Sequence, residues 1–180
     1  MNPIVVVVSV DWEGMSLLPN NLDAMREFRN NHPDVPMQQF LNAAYYLQED
    51  ESPKKITQKI NSVLIPEHVH GLHLHAWSSL QQQAGIDIRH SPTFFHPESL
   101  AEYGVLDAGY GVPLEAFAVD ELTCMLEESV RLLTRYGFKS PSSFRAGGWQ
   151  AGPNVFTALS SCGFTLDCSC ANTEITKRTP

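Results

Sequence analysis

The sequence has few cysteines, no CxxC pair, no basic excess and no apolar run long enough to cross a membrane, and each shortage removes a class of protein. Cys124, Cys162, Cys168 and Cys170 are too few in 180 residues for a disulfide-built scaffold, so reduced thiols serving as small buried residues are expected. The net charge of −8, with no block of like charge, makes nucleic acid and anionic membranes poor partners. Membrane-spanning helices need roughly 20 consecutive apolar residues, and none is present. The start, Met1-Asn2-Pro3, runs directly into Ile4–Val8 without the basic and small-residue flanks of a secretory signal, so a cytoplasmic protein is expected. There are no repeats and no low-complexity tracts.

What is present suits one globular domain spanning residues 1–180. A 43% hydrophobic composition supplies a core for that length. Ile4–Val10 is a β-branched run of the kind buried on both faces in parallel sheets. Leu22–Asn31 places Leu22, Met25 and Phe28 at helical intervals, and Val35–Leu41 reads as a second strand. Ser52 and Pro53 open a helix whose stripe is Ile56, Ile60, Val63 and Leu64, with Pro66 stopping it. Val69–His75 is a third strand, followed by a long irregular stretch from about Gln82 to Val112.

Asp120 is expected to cap the strongest helix, with Leu122, Met125, Leu126, Val130 and Leu133 on one face and Gly137 at its end. Ser143–Ala146 reads as a strand, Pro153–Cys162 as a helix closed by Gly163, and Phe164–Cys168 as a last strand. This alternation predicts an α/β fold with a parallel sheet, open or closed into a barrel. Ligands in either form bind at the carboxyl ends of the strands.

Four strand ends carry unusual chemistry. Asp11 and Glu13, two residues apart in an extended segment, share a face, although acids after a strand also begin turns. In Gly71-Leu72-His73-Leu74-His75 both leucines face one way and both histidines the other. Residues two apart on one face sit about 6–7 Å apart, close enough for two imidazoles to reach one metal ion. His68 and His70, nearer the strand's start, read as surface or structural residues. Arg145 precedes Gly147, Gly148 and Trp149, and an arginine beside carboxylates keeps them ionised and oriented. Asp167 ends the last strand. Taken singly, Arg145 suits a surface ion pair, Trp149 the core and Asp167 a turn; together they converge on one mouth.

These segments, Ser9–Gly14 (SVDWEG), Gly71–Leu80 (GLHLHAWSSL), Phe144–Gly152 (FRAGGWQAG) and Gly163–Ser169 (GFTLDCS), resemble in order and context the first four motifs of polysaccharide deacetylases. That group is the NodB-homology domain of carbohydrate esterase family four. The resemblance is closest to a short subgroup associated with surface-polysaccharide loci. It implies a distorted β/α barrel with a divalent metal, zinc or cobalt, at its mouth, acting on an N-acetylated saccharide.

By that analogy Asp11 is the catalytic base, Arg145 its brace, and Glu13 and His73 metal ligands. Asp167 matches an acid of the fourth motif, and Trp77 and Trp149 could stack on a sugar, each being equally suited to the core. Two departures stand out. Where the family places its second histidine, four residues after His73, this chain has Trp77, so His75 is expected to take that place as the third metal ligand. The fifth motif, which supplies the general acid, is absent, and His96 is the only unassigned candidate.

Five strands would leave the barrel incomplete at its C-terminal side, with exposed edges prone to self-association unless the last segment or a partner covers them. The main alternative is a degenerate domain that binds a carbohydrate or a partner without turnover. Another amide could also replace the sugar. Two geometric expectations follow: ligand atoms of Glu13, His73 and His75 within about 6 Å of each other, and Arg145 within hydrogen-bond reach of Asp11.

Overall fold

A computed structural model of the chain describes residues 6–65, 68–94 and 107–169. Five strands, β1 (Val8–Asp11), β2 (Met37–Asn42), β3 (Val69–Leu74), β4 (Ser143–Ala146) and β5 (Leu166–Asp167), form one sheet in sequential order. Every neighbouring pair is parallel. The helices are α1 (Pro19–Asn31), α2 (Pro53–Val63), α3 (Ser78–Gln83), α4 (Val119–Arg135) and α5 (Pro153–Ser161), with short 3-10 turns between them. The fold is therefore α/β with an all-parallel sheet, as the alternation of elements predicts. No described helix is long and apolar enough to cross a membrane.

The sheet is strongly curled. Arg145 on β4 donates to Ser9 Oγ at 3.0 Å and Asp11 Oδ1 at 2.9 Å on β1, although β2 and β3 lie between these strands. Three strand spacings would span about 14 Å in a flat sheet, beyond the reach of an arginine. Gln38 on β2 likewise bonds Ser143 Oγ on β4 at 3.0 Å. Gly71 makes room for this interior: a Cβ there would collide with Ser143 and the Phe40 ring. The ring so accommodated carries the Arg145 guanidinium 4.3 Å from its centroid. β1 and β5 are the two ends of the sheet and do not pair with each other among the described residues, which makes it a distorted barrel left open.

On the outer face Leu41 and Leu72 meet the helices. α4 buries Leu122, Met125, Leu126, Leu132 and Leu133, and packs on α5 through Val155, Ala158 and Leu159. Burial of each such aliphatic side chain stabilises the fold by about 1.5–3 kcal/mol.

Several expectations are corrected. The Ile4–Val10 run forms a strand only from Val8 to Asp11; Val6 and Val7 are exposed and Ile4 lies outside the described residues. No residue of β1 is fully buried, so the strand is not buried on both faces. The second strand is shifted to Met37–Asn42, and the last shrinks from Phe164–Cys168 to Leu166–Asp167. Asp120 does not cap α4: Ala118 stands at the cap, and the Glu121 carboxylate accepts its backbone N–H at 2.8 Å. Ser129 rather than Val130 is buried on that helix, its hydroxyl donating to Met125 O at 2.8 Å. Ser52 precedes α2 without a side-chain cap bond. α3 was not anticipated, because its polar run of glutamines carries little apolar periodicity. Cys124 is exposed, Cys162 and Cys168 are half-buried, all three are free, and Cys170 lies outside the described residues.

Candidate metal centre and active site

The end of β1 delivers two carboxylates to the barrel interior because the residue between them is tied outward. Trp12 is buried, its indole donating to Gln39 Oε1 at 2.8 Å and its backbone N–H to Phe40 O at 2.9 Å. With Trp12 fixed on one side, strand alternation turns Asp11 and Glu13 to the other. Tyr45 secures the second position by donating its hydroxyl to Glu13 O at 3.0 Å.

His73 near the end of β3 and His75 just beyond it are almost fully enclosed. His75 Nε2 lies 2.8 Å and His73 Nε2 3.8 Å from Glu13 Oε1, and one ligand-type atom of each of the three residues lies within 4.8 Å of the others. The imidazoles meet edge to face, 5.0 Å between centroids at 75°.

The other ring nitrogens decide what this cluster can hold. His73 Nδ1 is 3.1 Å from Arg145 O, and His75 Nδ1 is 2.9 Å from Tyr110 O. A backbone carbonyl can only accept, so in both rings Nδ1 must carry the hydrogen. In the neutral ring Nε2 then presents a lone pair. Two lone pairs thus face a carboxylate, and His73 Nε2 is buried with no hydrogen-bond partner. The arrangement lacks positive charge. A proton is a poor remedy, since burial above all pushes the His75 imidazole below its usual 6.5. A divalent cation fits: two imidazole nitrogens and a carboxylate oxygen with open positions are a zinc-type donor set, and Nδ1–H bonds to carbonyls are the usual outer support.

Beside this cluster stands the second pair. Arg145 and Asp11, both mostly shielded, form an ion pair at 2.9 Å. The guanidinium is held further by Ser9 Oγ and by Nε donation to Cys168 O at 3.1 Å.

Trp77 does not offer a stacking face. It is 1% exposed and packs edge-on against Tyr45 in the core, because the turn after β3 sends it beneath α3. Trp149 is 55% exposed, after Gly148 in left-handed backbone at φ +63°. Asp167 spends Oδ1 on Ser169, accepting its hydroxyl at 2.5 Å and its N–H at 3.1 Å, while Ser169 Oγ accepts Ala146 N–H at 2.8 Å. That chain ties the end of β5 to β4, so Asp167 braces the strand carrying Arg145. His70 bonds Lys139 O at 3.0 Å, in keeping with a structural role. His96 lies outside the described residues.

One contributor is not marked by any sequence motif. Tyr110 is buried, with its ring stacked on His75 at 3.8 Å and 7°. Burial first, then the Glu13 charge and a hydrogen bond with that carboxylate, push its phenol well above the usual range, so it stays a protonated donor. The glycine-flanked Gly109-Tyr110-Gly111 in the long loop was the available signal. Gly147, one of the two glycines after Arg145 that the sequence marks for close backbone approach, makes that approach: a Cβ there would overlap the His75 ring. Gly147→Ala should therefore destabilise the fold by about 1–3 kcal/mol, as overpacking does, and loosen metal binding; thermal melts with and without zinc check this.

No family model matches the sequence, and no curated protein does. Solved structures similar to this chain include one assigned to the polysaccharide deacetylases, from Mycobacterium smegmatis, at 14% identity and TM-score 0.48, covering 81% of this chain and 36% of that one. Another is a family 4 carbohydrate esterase from Streptomyces lividans, in complex with acetate, at 12% identity and TM-score 0.49, covering 89% of this chain and 60% of that one. The chain thus spans less than two thirds of either protein, and its likeness to them is one of fold.

Proposed function

We propose that this chain is a metal-dependent hydrolase that removes N-acetyl groups from a carbohydrate, with residues 1–180 acting as one deacetylase-like domain. The observation that carries the reading is the convergence of Glu13, His73 and His75 with both Nδ1 hydrogens spent on carbonyls, beside an arginine-braced aspartate. The motif resemblance supplies the reaction class. Zinc suits the donor set best, with cobalt the alternative.

In this reading Glu13, His73 and His75 hold the ion, which when bound polarises an acyl carbonyl and lowers the pKa of water. Asp11 is the general base. Its ion pair with Arg145 fixes its direction, so it can accept a proton as water attacks the acetamide carbon. Once protonated, Asp11 holds a proton that can pass to the departing amine nitrogen, which must gain one to leave. Trp149, with its ring largely in solvent, offers an apolar face to a sugar ring.

The test is acetate release from a panel of N-acetylated saccharides, measured with zinc, with cobalt and after chelation. Release that depends on added metal supports the proposal. A chain that binds zinc tightly but releases no acetate from any of them would leave the binding-domain alternative in its place.

A further inference from the structure

Tyr110 touches the cluster in three independent ways. Its carbonyl accepts from His75 Nδ1 at 2.9 Å, its ring lies flat on the same imidazole at 3.8 Å, and its hydroxyl bonds the Glu13 carboxylate. Packing alone would explain the ring, but not the two polar contacts, each of which ends on a different ligand.

The segment that carries Tyr110 is anchored from both sides. The Asp107 carboxylate accepts Gly109 N–H at 2.8 Å, Ser78 N–H at 2.9 and 3.0 Å, and the Ser78 hydroxyl at 2.6 Å. Gly111 O accepts Phe94 N–H at 3.0 Å. Gly109 presses so close to the Ala76 carbonyl that a Cβ would overlap it. The strap is therefore fixed to the chain that leaves β3 directly after His75, and the distance from Tyr110 to the imidazole is set by rigid neighbours.

We propose that Tyr110 is the positioning residue of the metal centre, holding His75 in the Nδ1–H tautomer with Nε2 turned to the ion and tying Glu13 to the same ring stack. This rests on the metal-centre reading above. Without the carbonyl bond His75 could carry its hydrogen on Nε2, donate it to Glu13 and close the site to a cation. Partners that orient metal ligands in this way typically contribute 10–100-fold to affinity.

The experiment measures zinc affinity by chelator competition for the wild type, Tyr110→Phe and Tyr110→Leu, together with the His75 tautomer from nitrogen-15 chemical shifts of the metal-free proteins. Tyr110→Phe keeps the stack and loses the hydroxyl, and should bind zinc several-fold more weakly. Tyr110→Leu loses both but keeps the carbonyl, and should bind about 10–100-fold more weakly with His75 still in the Nδ1–H tautomer. If the leucine variant does not fold, the phenylalanine variant decides. Melting temperatures lowered in the variants but with zinc affinity within twofold of wild type, or a metal-free wild type carrying the His75 hydrogen on Nε2, would reduce Tyr110 to packing and overturn the inference while leaving the metal centre intact. A wild type no better at binding zinc than Glu13→Ala would overturn the metal centre itself, and this inference with it.

Discussion

Asp11→Asn should lower acetyl release by about 10²–10⁴-fold, the usual contribution of a positioned proton acceptor, while leaving zinc affinity within a few-fold of wild type. The separation follows from the geometry. Asp11 is paired with Arg145, whereas the ligand-type cluster is Glu13, His73 and His75. The amide keeps the size and one acceptor of the carboxylate but cannot take a proton. Comparing kcat for acetate release with zinc affinity in the same preparation checks it. Equal loss of both would mean that Asp11 belongs to the metal site, and unchanged release would remove it as the base.

His73→Ala should cost more zinc affinity than loss of any outer partner, beyond the 10–100-fold typical of those, because it deletes a ligand from a set of three. Lowering the pH should do reversibly what that mutation does permanently. Zinc binds the unprotonated imidazole, so protons compete with it. Burial has moved His75 down from 6.5, which keeps its Nε2 available to a lower pH than an exposed histidine would. Affinity should therefore hold through neutrality and fall only as the pH drops through the lowered His75 value, below 6.5.

The same shift has a stability consequence in the metal-free chain. The folded state binds fewer protons at His75 than the unfolded state, so the His75 contribution is fully present above 6.5 and is lost as the pH falls through the lowered folded value. Zinc titrations and thermal melts across pH 5 to 8 measure both effects. Affinity that rises on acidification would contradict the tautomer assignment.

The site's chemistry was more legible than its outer elements, for a physical reason. Strand parity is a local property, so Asp11 with Glu13 and His73 with His75 could be placed on common faces from spacing alone, and Arg145 could be set at a neighbouring strand end. The alternation of apolar runs with helical stripes likewise predicted a parallel α/β sheet. Elements with weak or misleading periodicity were the ones missed or displaced. α3 is a glutamine-rich turn of helix, and Val6 and Val7, just before β1, lie beyond the register in which β1 pairs with β2.

Tertiary structure decided everything that depends on which strands and loops come near each other. The curl of the sheet brings β4 against β1, so that Arg145 meets Asp11 from 134 residues away in sequence. The turn after β3 sends Trp77 into the core although it follows two candidate ligands by only a few residues. The Arg145 and Tyr110 carbonyls fix both histidine tautomers, and backbone carbonyls occur at every residue, so no side-chain pattern could single them out. The sequence by itself specified which groups could perform the chemistry, because side-chain identity and strand period are local. Which of them share a site, in what tautomer and at what charge, was set by the curled sheet and the strap that packs against it.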